Sequence, residues 1–289
     1  MCVKIFPLKS VPGAIWSVLP FAVWLLGGAG AGIAQTYHSG TISSNETWYA
    51  VGNPHIVTGN VTVNSGVTLA IEAGCQVMFD SGTRIYVNGI LDAQGTSTDS
   101  IRFTRNGASV IWYGLQFNAY SSGDLDYCII EYASGYPSAY AVKATSTDTL
   151  SLEHCILQHN RGYNGYGFWG SEVTPHIENC VFQDNKWGIY LTNGTLSMIG
   201  AGNLITDNDN GVRFHNCSAP QLASGNVISD NINYGVYFDN CTSLGTIDGL
   251  TLTGNGGMGL CICRIVEISR LDPEIPSVAL AMRMSGHCQ

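Results

Sequence analysis

IENCVFQDNKWGIYLTNGT (residues 177–195), GNLITDNDNGVRFHNCS (202–218) and GNVISDNINYGVYFDNCT (225–242) say nearly the same thing three times. Each copy runs through a short apolar strand, Asp-Asn, a turn, Gly, a second apolar strand, Asn and a small residue. Gly188, Gly211 and Gly235 open the second strands at spacings of 23 and 24, and Asn185, Asn208 and Asn231 close the first at 23 and 23. Self-similarity at this period marks stacked units, none of which can bury its apolar face without a neighbour. The strands are rich in Val, Ile, Phe and Tyr, and nothing in them recurs at helical spacing. Each copy therefore reads as one turn of an all-β solenoid.

Stacking sets equivalent residues about 4.8 Å apart, the strand spacing of a sheet, so like residues should fall into columns. Asn160, Asn185, Asn208, Asn231 and Asn255 form one, and Asn193, Asn216 and Asn240 form another. A side-chain amide both donates and accepts, so an Asn at a buried turn can bond backbone and the amides above and below it. Asn also tolerates the left-handed backbone of a tight corner. From Val61 to Leu260 the pattern resembles the right-handed parallel β-helix of the pectate-lyase-like superfamily. That resemblance implies a right-handed winding of about eight coils, and a superfamily of lyases, hydrolases and adhesins.

Of 289 residues, 35 are glycine and only 11% are charged, against averages of about 7% and 25%. Frequent turns account for the first, and Asn, Ser and Thr in place of surface charge for the second. A net charge of −9, with Lys143 and Lys186 the only lysines after residue 10, lacks the electrostatic footprint of a nucleic-acid or anionic-membrane binder. Lys4 and Lys9 precede an apolar run, Val11 to Ala34, that ends in small residues. Residues 1–34 thus read as a signal peptide cut before Gln35, implying a secreted or cell-surface protein with no membrane span after cleavage. Ten cysteines in an exported chain would ordinarily suggest disulfides. Here Cys128, Cys155 and Cys180 share one coil position with Asn203 and Asn226, and Cys217 and Cys241 share another. Stacked side chains point alike rather than toward each other, so buried thiols are expected.

Residues 35–54 read as a lead-in or edge strand, 55–260 as the β-helix, and 261–289 as a tail that continues no column. Two wider coils from Ser100 to Asn160 leave extra residues for loops dense in tyrosine, GYPSAY (135–140) and RGYNGYG (161–167), with Tyr136, Tyr163 and Tyr166. Alternation from inward Ile189 and Leu191 turns Gln116, Lys143, Trp169, Tyr190, Arg213 and Tyr237 outward. Trp169, Tyr190 and Tyr237 interleaved with Arg213 suit stacking on sugar rings and pairing with an acidic group on them; pairing across strands for sheet stability is the plainer reading.

Asp184, Asp207 and Asp230 form a carboxylate column, with Asp209 two residues along, where a hard cation such as calcium could sit among the oxygens; solvated turn residues are the competing explanation. The resemblance supplies calcium-dependent lyases, but the hydrolase signatures of the superfamily are missing from this chain. The N-x-[ST] matches at Asn60, Asn193, Asn216 and Asn240 are put down to composition, the last three being expected to lie buried. The resulting expectation is an exported, monomeric, non-catalytic scaffold, with no required cofactor, that contacts polysaccharide or cell-surface glycan through the aromatic column and Tyr-rich loops. The alternatives are a calcium-dependent polysaccharide lyase or glycoside hydrolase, and a structural adhesin stalk.

Overall fold

The computed structural model describes residues 35–135, 139–195, 197–245, 247 and 249–263, and the backbone of 267–268. The expected signal peptide and the tail beyond Ile268 lie outside these residues. The chain winds as a parallel β-solenoid of about nine turns, three strands to a typical turn. Strand β1 (Thr36–Ile42) pairs in parallel with β3 (His55–Val63), and β2 (Glu46–Trp48) with β4 (Thr68–Ile71). Residues 35–54 therefore complete a coil of their own, which is why the turns outnumber the eight expected. At the other end Tyr237 pairs with Cys261 and Asp239 with Cys263, so the columns run into residues assigned to the tail.

Phe182 pairs with Ile205 and Ile205 with Ile228 on the first strands, and Leu191 with Phe214 and Phe214 with Phe238 on the second. All of them are fully buried. Phe214 and Phe238 stack at 5.2 Å, nearly parallel. Each such ring contributes about 1.5–3 kcal/mol by leaving water, and a coil taken alone would expose it.

One device recurs at all three corners of the coil: a residue with positive φ, then a residue whose side chain turns inward. From third to first strand the pairs are Tyr127-Cys128, His154-Cys155, Asn179-Cys180, Gly202-Asn203 and Gly225-Asn226. From first to second they are His159-Asn160, Asp184-Asn185, Asp207-Asn208 and Asp230-Asn231. From second to third they include Asn216-Cys217 and Asn240-Cys241. Asn208 shows what the inward residue does. Its Oδ1 accepts from Asn185 N–H at 2.9 Å and Asn185 Nδ2 at 3.0 Å, and its Nδ2 donates to Phe182 O and Asn231 Oδ1. Backbone groups that the corner removes from the strand ladder thus find partners inside.

The second asparagine column differs from expectation. Asn193, Asn216 and Asn240 are exposed, with φ of 55°, 52° and 55°. They occupy the left-handed position itself, so at Asn216 and Asn240 the side chain that turns in belongs to the next residue, Cys217 and Cys241, while Asn193 is followed by Gly194. The N-x-[ST] matches there cannot be set aside on grounds of burial. Cys75, Cys128, Cys155, Cys180, Cys217 and Cys241 are buried free thiols; Cys261 is buried with its Sγ 3.9 Å from that of Cys263, which is disulfide-bonded. Burial pushes the Cys75 thiol up to about 11 and Cys241 up to about 12, which keeps both protonated at neutral pH.

Candidate functional site

The second-strand outward column stands in register: Gln116, Lys143, Trp169, Tyr190, Arg213 and Tyr237 are consecutive partners. Tyr166 lies in a parallel outward column, between Tyr140 and Trp187. Simple alternation misses Trp187 because Gly188 and Ile189 both face inward. The sequence signal was the recurring spacing of three, in Tyr140/Lys143, Tyr166/Trp169, Trp187/Tyr190 and Tyr234/Tyr237. Glycine is needed at 188, where a Cβ would stand 2.8 Å from both Gly211 O and Ile205 Cγ2.

The two columns make an aromatic surface over three coils, Tyr140 to Tyr190, and a separate Tyr234–Tyr237 stack at 5.1 Å, with Asn210 and Arg213 in the coil between them. Tyr140 and Tyr166 stack at 5.2 Å, Tyr166 meets Tyr190 edge-on at 5.6 Å, and Trp187 meets Tyr190 edge-on at 5.9 Å. Arg213 lies among them, its guanidinium carbon 5.0 Å from the Tyr190 ring centre, 5.1 Å from Tyr237 and 5.6 Å from Trp187. Lys143 sits 5.3 Å from Trp169 and 5.4 Å from Tyr140. Cations over π-faces are held in place while keeping their charge. Burial, then the neighbouring Tyr140 and Tyr190, raises the Tyr166 phenol to about 12; burial also raises Tyr190 and Tyr237. These phenols are therefore hydrogen-bond donors at neutral pH. Burial, then Arg84, lowers Lys143.

Arg213 is anchored by Asp239 of the next coil, whose Oδ2 also meets His215 Nδ1 at 2.8 Å. A carboxylate can only accept, so His215 presents Nδ1–H to it and, when neutral, keeps Nε2 as an acceptor. Arg213 Nε is a buried donor without a hydrogen-bond partner among the described residues. Neither His215 nor Asp239 stood out in the sequence, because each acquires its role from a residue about two dozen positions away.

Of the tyrosines expected on the loops, Tyr163 is exposed and its carbonyl accepts from Lys186 Nζ at 2.9 Å; Tyr136 lies outside the described residues. Asp184, Asp207 and Asp230 take the left-handed corner position. Asp184 bonds His159 and Arg161, and Arg161 reaches Asp209 at 3.2 Å, so the positive charge beside these two carboxylates comes from the chain's own side chains. Among the described residues no group of three or more His, Cys, Asp or Glu is placed to hold a metal ion.

Residues 113–264 match the family model for a right handed beta helix region. A comparison with curated proteins returns no match. Among solved structures the chain is similar to the periplasmic alginate epimerase AlgG, at 12% identity over 78% of this chain and 71% of that one, with a TM-score of 0.34. A mutant of that epimerase gives 11%, 80%, 75% and 0.41. The A-module of a mannuronan C-5 epimerase from Azotobacter vinelandii gives 13%, 84%, 89% and 0.25.

Proposed function

The chain belongs to the right-handed β-helix family, and from that premise we propose that its second-strand face binds an extended acidic polysaccharide outside the cytoplasm. The observation that carries this reading is Arg213 held among Trp187, Tyr190 and Tyr237, between the rings of Tyr140 to Tyr190 and the Tyr234–Tyr237 stack. From Tyr140 to Tyr190 rings repeat at the strand spacing of about 4.8 Å and offer successive sugars an apolar platform, while Arg213 and Lys143 supply charge for their carboxylates. Export fits the expected leader, and no helix among the described residues is long and apolar enough to cross a membrane.

A second reading has its own observation. Asp239 orients His215 with Nε2 as acceptor, beside Arg213 and near the Tyr190 ring at 6.4 Å. A base, a cation to neutralise a carboxylate and a protonated phenol are the parts needed to remove a proton α to that carboxylate.

One experiment addresses both readings. Polyuronates such as pectin and alginate, with a neutral glucan as control, are titrated by calorimetry and the mixtures followed for ultraviolet absorbance of unsaturated product. Binding should favour the polyuronate, weaken with salt, and fall about tenfold in Trp187→Ala and in Arg213→Gln. Equal affinity for the neutral glucan, or variants that bind as wild type, would overturn the binding proposal. Absorbance lost in His215→Gln would support acid–base chemistry, and none across the polyuronates would remove β-elimination.

A further inference from the structure

The first coil carries a polar cluster that the binding face does not use. His38 of β1 and His55 of β3 meet through His38 Nε2 and His55 Nδ1 at 2.9 Å, and His55 Nε2 lies 2.9 Å from Tyr49 O. A carbonyl oxygen only accepts, so His55 must donate from Nε2. In neutral His55 the other nitrogen, Nδ1, is then an acceptor, and the proton between the two rings belongs to His38 Nε2. The chain of donors is fixed: His38 Nε2–H to His55 Nδ1, and His55 Nε2–H to Tyr49 O. It requires a neutral His55, because a proton on His55 Nδ1 would face the one already on His38 Nε2.

Both rings lie against the buried indole of Trp48, at centroid distances of 3.9 Å for His38 and 5.4 Å for His55. His55 is 3% exposed, which leaves little water to solvate an added charge. The groups around the pair come from three elements. Glu46 of β2 accepts from Trp48 Nε1 at 2.7 Å and lies 3.9 Å from His38 Nδ1. Tyr49 lines the same pocket, of about 220 Å³. Glu72, after β4, is committed to the Ala50 N–H. One added proton can go to His38 Nδ1 and face Glu46; a second has only the interface between the rings.

We infer that the His38–His55 pair is an acid-sensitive latch that holds β1 on β3 at neutral pH and releases β1 when the pair takes up protons. Among the described residues β1 pairs with β3 alone, so its release opens no other described strand and bares the β3 edge for pairing with another strand. Burial, and then the nearby His55, lowers His38 from 6.5 to about 4. For a group whose folded-state value is depressed, the unfolded coil binds protons first as pH falls. The latch is thus at full strength above about 6.5 and weakens down to about 4.

The test is amide exchange of the intact chain, expressed as protection relative to the unstructured rate at each pH. Protection of β1 should fall on the order of a hundredfold between pH 7 and pH 4, while the mid-stack strand Leu204–Thr206 changes little. His38→Gln keeps a donor toward His55 Nδ1 but cannot titrate, and should flatten the β1 profile. Constant β1 protection in the wild type, or an unchanged slope in His38→Gln, would overturn the latch. Should that variant already lose β1 protection at pH 7, the wild-type imidazole titration decides: His38 titrating below about 5 supports the latch, and near 6.5 overturns it.

Discussion

Two corners of the same coil look interchangeable in the sequence and are built differently. At the first, Asp207 takes the left-handed backbone and Asn208 turns into the core, fully buried. At the second, Asn216 takes the left-handed backbone and remains exposed, and Cys217 turns in. The common rule is positional, a tolerant residue followed by an inward one, and asparagine can fill either place. Inside, its amide links three successive coils, from Asn185 through Asn208 to Asn231. Outside, its value is conformational, and its contacts are side chain to side chain: Asn216 with Asn193 at 3.4 Å and Asn240 with Asn216 at 2.7 Å.

The sharpest way to break this contrast is Asn208→Ala. It strands Asn185 N–H and Phe182 O in a dry corner, and should cost about 3 kcal/mol in urea unfolding; a loss below about 1 would mean the column is not a ladder. Asn216→Ala should cost about 1 kcal/mol, because alanine keeps the β-carbon but loses the short polar side chain that lets asparagine tolerate the left-handed region, with most of the loss recovered by Asn216→Gly, which has no β-carbon. If glycine is no better than alanine there, the amide rather than the backbone carries the role.

The smallest effect is confined to acid. Burial pushes the Asp184 carboxyl up, but the hydrogen bonds from His159 and Arg161 outweigh it and hold Asp184 below its ordinary value. A depressed carboxylate contributes stability that is present above about pH 4 and lost as pH falls through its folded-state value. Asp184→Asn should therefore soften the acid limb of stability below pH 4 while leaving its slope at neutral pH unchanged, and a changed slope near pH 7 would contradict the assignment. That comparison also isolates the acid latch proposed at His38, which acts at higher pH and only on the first coil.

The candidate face divides in the same way between what repeats and what does not. Trp169, Tyr190, Arg213 and Tyr237 were legible because an outward position recurs with the period. Trp187 and Tyr166 were misplaced or missed because the two inward residues between each pair of rings break strict alternation. His215 and Asp239 carried no motif, and they matter only through Arg213 on the strand beside them.

By itself the sequence determined the period, the all-β winding and the file of buried side chains, since a repeat writes the same hydrophobic burial many times over. Tertiary structure decided which asparagine column faces the core, because the sign of φ at a corner, and not the residue name, sets which side chain turns in. It also decided that Arg213, His215 and Asp239 share one carboxylate oxygen, a meeting that depends on the register between coils and on the direction of each side chain.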